Sequence, residues 1–133
     1  MAGETNLEKL LASMEPSLRE GDFVFTTLPG KTVPAGLNPI GTFVEDEGLT
    51  LILPTEEARS ADLVASNPMR CITLTVHSSL DAVGLTAAFA AELTAHGVSA
   101  NVVAGFYHDH IFVGVDDAER AMMALRALSQ RYR

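Results

Sequence analysis

Residues 71–115, CITLTVHSSLDAVGLTAAFAAELTAHGVSANVVAGFYHDHIFVGV, decide the fold. The first seven alternate: Ile72, Leu74 and Val76 point one way, and Cys71, Thr73, Thr75 and His77 the other. A period of two marks a strand with one buried face. The period then changes. Over 81–96, Leu85, Phe89 and Leu93 recur at i, i+4 and i+8, with Ala82 and Ala88 beside them. That spacing predicts a helix, and Gly97 is placed to end it. Two strands are expected at 99–106 and 109–115. A last helix over 116–130 buries Ala118, Ala121, Met122, Leu125 and Leu128.

The order β-α-β-β-α opens a split βαβ, or ferredoxin-like, unit that should end in a fourth strand. The quoted chain stops at Arg133 instead, so the strand is expected from the N-terminal half, with the two halves interleaved. Outward from there, residues 6–14 (NLEKLLASM) read as a short helix with Asn6 as N-cap, which Pro16 and Gly21 bring to its end. Residues 22–28 (DFVFTTL) read as a strand with no obvious partner of its own, which can supply the missing one. A Pro/Gly-rich loop covers 29–39, a hairpin 40–45 and 49–54 turns at EDEG, and TEEARSADL opens a helix. Shifted by about 60 residues, the hairpin-then-helix of 40–64 overlays that of 100–124, matching Glu56-Glu57-Ala58 to Asp116-Asp117-Ala118. The expected architecture is therefore α+β: βαββα units in tandem, 1–67 and 68–133, with helices on one face of antiparallel sheets. With Ile111, Val113 and Val115 facing the helices, His110 and Phe112 lie on the other side, where a covering partner is expected.

Composition narrows the function classes. Apolar residues make up 47% of the 133 and charged residues 20%, a globular balance. Seventeen acids against nine bases give a net charge of −8, which repels a phosphate backbone. Arg120, Arg126, Arg131 and Arg133 cluster where they complement a helix dipole, so no nucleic-acid partner is expected. The apolar run 81–95 is too short and too polar to span a bilayer, and no membrane partner is expected. An acidic N-terminus and a single cysteine, Cys71, suit a cytoplasmic protein without a signal peptide or an internal disulfide.

The stretch 76–113, VHSSLDAVGLTAAFAAELTAHGVSANVVAGFYHDHIFV, resembles the ACT-domain pattern. A strand leads to a loop with an Asp and a Gly, then a helix, then a strand opening near an Asn. The turn reads Asp81-Ala82-Val83-Gly84 where ACT units commonly carry Asp-x-Pro-Gly, so Val83 stands in for the proline. With LTLILP at 49–54, the chain is similar to a bacterial family of small ACT-containing proteins. The resemblance implies small-ligand sensing, commonly of amino acids, at an interface between two units, and commonly in dimers. It assigns the ligand site to Asp81, Val83, Gly84 and Leu85 with Asn101 on the next strand; His77, Ser78, Ser79 and Val102 complete the expected wall.

Physical chemistry adds its own reason. A helix opening near Asp81 presents free N–H groups suited to a carboxylate, and Asp81 suits an ammonium. Two plainer roles stand beside this one: Asp81 as a helix cap, and Gly84 as a packing glycine. His77-Ser78-Ser79 lacks the surroundings of a nucleophile elbow, so the serines are read as turn caps. His108 and His110, at i and i+2 with His77 as a conceivable third ligand, suggest a metal-dependent enzyme as the alternative. Cys71 is read as a small buried apolar residue. The leading expectation is a homodimeric regulatory module that binds an amino acid-like ligand, without catalysis or cofactor, and acts on a separate protein. A ligand-free oligomerisation module is the third reading.

Overall fold

A computed structural model describes residues 6–76 and 83–133. The chain divides into two compact units. One gathers the chain up to Arg19 with Arg70–Arg133, and the other is Glu20–Met69.

The first unit begins with α1 (Leu7–Ser13), whose Lys9 N–H donates to the Asn6 side chain at 3.1 Å, as an N-cap should. Next comes β1 (Glu15–Leu18), a strand where a helix end was expected. It pairs antiparallel with β5 (Met69–Thr75), matching Ser17 to Thr73 and Leu18 to Ile72. β5 lies beside β7 (Asp109–Gly114), and β7 pairs antiparallel with β6 (Asn101–Ala104). The fourth strand of the ferredoxin-like sheet is thus Glu15–Leu18. The strand expected to supply it, residues 22–28, pairs along its length with residues 49–54 and meets β5 only through Phe23 and Met69. The register explains how a proline fits. Arg19 N–H donates to the Cys71 carbonyl at 2.9 Å, so Ser17, two residues back, also bonds inward, and Pro16 turns its missing N–H outward. Pro at that position also closes the sheet edge to further pairing.

α3 (Leu85–Ala95) and α4 (Ala118–Gln130) cover one face. A single 3-10 turn, Val115–Asp117, leads into α4. The core joins Leu10, Leu11 and Met14 to Ile72 and Leu74, to Phe89 and Leu93 of α3, to Ile111 and Val113, and to Leu125 and Leu128 of α4. Burying each large side chain is worth about 1.5–3 kcal/mol.

The second unit comprises β2 (Phe23–Leu28), β3 (Gly41–Glu45), β4 (Gly48–Pro54) and α2 (Thr55–Ser60). β4 lies between β2 and β3, antiparallel to both. Residues 65–69 flank β2 on its other side, through Thr26 with Ala65 and Phe23 with Met69. The connection from β2 to β3 crosses over β4 without a helix; its Leu37 packs on the cluster of Val24, Leu49, Leu51, Leu53 and Ala58. Gly48 is needed where it stands, because a Cβ there would lie 2.7 Å from the Leu28 carbonyl oxygen. The suspected repeat has its structural counterpart: β3-β4-α2 and β6-β7-α4 follow the same order, and Ala58 and Ala118 are both buried.

Candidate functional site

The turn between β5 and α3 is where the sequence places the ligand. His77, Ser78, Ser79 and Asp81 lie outside the described residues. α3 begins at Leu85 rather than at residue 81, and its N-cap is Gly84, at φ +98°. That backbone conformation suits glycine and strains other residues. Gly84 is also tightly packed: a Cβ would meet Leu7 Cδ2 at 3.2 Å. Sequence reasoning missed Leu7, because nothing in a helix seventy-odd residues away marks it as the neighbour of this turn. Among the described residues no side chain caps α3, and its first turn contains no acid. The first N–H groups of such a helix have no partner within the helix and carry the positive end of its dipole.

The other expected wall residues separate. Val83 is exposed, whereas Leu85 is buried in the core. Asn101 and Val102 are neighbours on β6, so their side chains take opposite faces. Val102 packs against the core beneath the helices. Asn101 is exposed, and its amide donates to the Phe112 carbonyl at 3.4 Å. The structure therefore brings Val83, Gly84 and Leu85 together at the mouth of α3 and turns Val102 away from Asn101.

A second polar group lies on the sheet face opposite the helices. His110 Nδ1 sits 3.0 Å from Thr73 Oγ1. Partial burial lowers the His110 pKa, and Arg19 and the neighbouring His108 add to this against the opposing effect of Asp109. Burial raises Asp109, opposed by both histidines. Burial also raises the Cys71 thiol against the pull of Arg19, consistent with an inert packing cysteine. No cluster of three His, Cys, Asp or Glu among the described residues is arranged to hold a metal. The metal reading also needs His77, which lies outside them. No helix among the described residues is long and apolar enough to cross a membrane.

Comparison with known proteins gives the same architecture. A model of the ACT domain matches residues 2–70, and a second ACT-domain model matches residues 67–127. No curated protein matches the sequence. A solved structure of a protein of unknown function from Vibrio cholerae, described as a possible transport protein, is 53% identical. It covers 92% of this chain and 95% of its own, with a TM-score of 0.83. A protein from Agrobacterium tumefaciens is similar at a TM-score of 0.73 and 19% identity, covering 87% of this chain and 89% of its own. The ligand-free regulatory subunit of aspartate kinase from Thermus thermophilus shares the fold at a TM-score of 0.57 and 9% identity, over 85% of this chain and 95% of its own. With two ACT-domain matches that together span residues 2–127 and a ferredoxin-like sheet bearing helices on one face, the chain belongs to the ACT-domain family.

Proposed function

We propose that this protein is a regulatory module that binds an amino acid or similar small zwitterion at the turn before α3, without catalysing a reaction. The observation that carries the reading is the opening turn of α3 (Leu85–Ala95): Gly84 stands at its mouth, and no acid and no side-chain cap occupies it among the described residues. Such a helix start favours a carboxylate through its N–H groups and dipole. Gly84 leaves the backbone bare for close approach. Asp81 would take the ammonium, with His77, Ser78, Ser79 and Val83 around it and Asn101 from the β6 side. ACT membership supports the ligand class, as does the shared fold of a regulatory subunit of aspartate kinase. The module would act as a cytoplasmic homodimer on a separate regulated protein.

The test is a thermal-shift screen against the twenty amino acids. A ligand at a hundred times its Kd adds about 2.7 kcal/mol of stability, which shifts the melting temperature by several degrees. Asp81→Asn then separates charge from capping, because Asn caps nearly as well as Asp. The variant is expected to keep its stability and lose the ligand-induced shift. A melting temperature unmoved by all twenty would count against the amino-acid reading and favour an oligomerisation module over it.

A further inference from the structure

Two apolar features lie uncovered on the surface. The first is a groove of about 620 Å³ in the Glu20–Met69 unit, lined chiefly by Phe25, Thr27, Phe43, Thr50, Val64 and Ser66. It lies on the sheet face opposite the Val24–Leu49–Leu51–Leu53 core. The register builds it. Phe25 and Gly41 both pair with Ile52 of β4, and Thr27 and Phe43 both pair with Thr50. Phe43 is 71% exposed and Val64 90%. The second feature is the turn between β6 and β7. Gly105 N–H donates to His108 at 2.9 Å and closes a hairpin whose two tip residues are Phe106 and Tyr107. They are 78% and 75% exposed, with rings 5.1 Å apart at 78°. An edge-to-face pair is a favoured arrangement, so the tip is one apolar knob rather than two loose side chains.

We infer that the Phe106–Tyr107 knob of a second copy seats in the Phe25–Phe43–Val64 groove. This deepens, and rests on, the homodimer part of the reading above. Charge permits the contact. On a chain of net charge −8, the knob carries no charge and the groove lining carries only Glu45. Area argues for a reciprocal pair. Two aromatic side chains bury about 300–500 Å² together, and about three-quarters of that is still accessible here. With a matching area from the groove, one contact removes about 450–750 Å², the size of a weak encounter. Two copies about a two-fold axis make the contact twice, about 900–1,500 Å², which reaches the range of stable interfaces.

Sedimentation velocity of the full chain at micromolar concentration tests this. The wild type is expected as a dimer. Phe43→Ser, in the groove, and the double change Phe106→Ser with Tyr107→Ser are each expected to weaken association at least tenfold. All three sites are exposed, and far-UV circular dichroism would verify the fold. Mixing the two variants rebuilds one intact knob-and-groove contact in the mixed dimer, so the mixture should associate more tightly than either variant alone. Variants that both fall to monomers but gain nothing on mixing would show that the two patches do not meet, and would overturn the inference. A dimer that survives both changes would also overturn it while keeping the homodimer, with an interface elsewhere, such as the outer edge of β6. A monomeric wild type would overturn both.

Discussion

The hydroxyl of Ser129 donates to the carbonyl of Met14 at 3.1 Å, joining residues 115 apart in the chain. The same proton is shared with the carbonyl of Ala12 at 3.2 Å. These are orphan carbonyls at the end of α1, which helix geometry leaves without partners, and α4 supplies the donor. Arg133 adds a bond from Nε to Ala12 at 2.9 Å and an ion pair to Glu15 at 3.1 Å. The fourth strand of the C-terminal sheet is held at its start by the last turn of the last helix. Ser129 is buried, so Ser129→Ala strands a carbonyl away from water and should cost about 1–3 kcal/mol. Urea denaturation should show the midpoint falling with the slope unchanged.

The N-terminal segment should be indispensable to the unit it completes. A fragment of residues 70–133 lacks β1 and the Leu10, Leu11 and Met14 side chains that pack on Ile72 and Leu74. It is expected to be largely unfolded alone and to gain helical circular dichroism when a peptide of residues 6–19 is added. A fragment that folds cooperatively without the peptide would contradict this.

Gly84→Ala should cost about 1–2 kcal/mol, the penalty of forcing a side chain into a left-handed conformation at φ +98°. Contact with Leu7 Cδ2 at 3.2 Å adds to it. Leu7→Ala in the same chain removes the contact but leaves the backbone strain. The double variant should therefore melt well below Leu7→Ala alone, and equal melting temperatures would place the whole cost in the side-chain contact.

Acid should weaken the link between α3 and α4. Arg131 donates to Glu92 and is the main cause holding that carboxyl below the ordinary 4.5. A carboxylate with a depressed folded pKa stabilises the protein above its unfolded value, and the contribution is lost as pH falls through the folded value. The loss belongs below about pH 4.5. It should stay small, because Arg131 is largely exposed and solvent screens the pair. Glu92→Gln should flatten the melting-temperature profile between pH 5 and 3 relative to wild type.

His110 titrates in a different window. Its folded pKa lies below the ordinary 6.5, first through burial and then through Arg19 and His108, with Asp109 opposing. The unfolded chain therefore binds the proton more readily, and this part of the stability is present above pH 6.5 and declines as pH falls below it. His110→Gln should remove that slope between pH 7 and 5. A profile identical to wild type would assign the slope to another group.

Period-two alternation at 71–77 and period-four spacing at 85–93 located a strand and a helix correctly, because those patterns record which face each local segment buries. The hairpin read at 40–54 and the loop at 29–39 were legible to within a residue for the same local reason, from strand-formers, glycines and prolines. The count of strands even revealed that one was missing. It did not reveal which residues would fill the place. Glu15-Pro16-Ser17-Leu18 has little strand propensity and becomes a strand only because β5 offers it backbone partners. The Asp81-to-Gly84 motif could be read from the sequence, but not the packing of the residues grouped with it: Leu7 against Gly84, and Asn101 turned away from Val102. Local patterns report what a segment can become. Which distant segment completes an edge or closes over a glycine is decided by backbone hydrogen bonds and core volume, which exist only once the chain has folded.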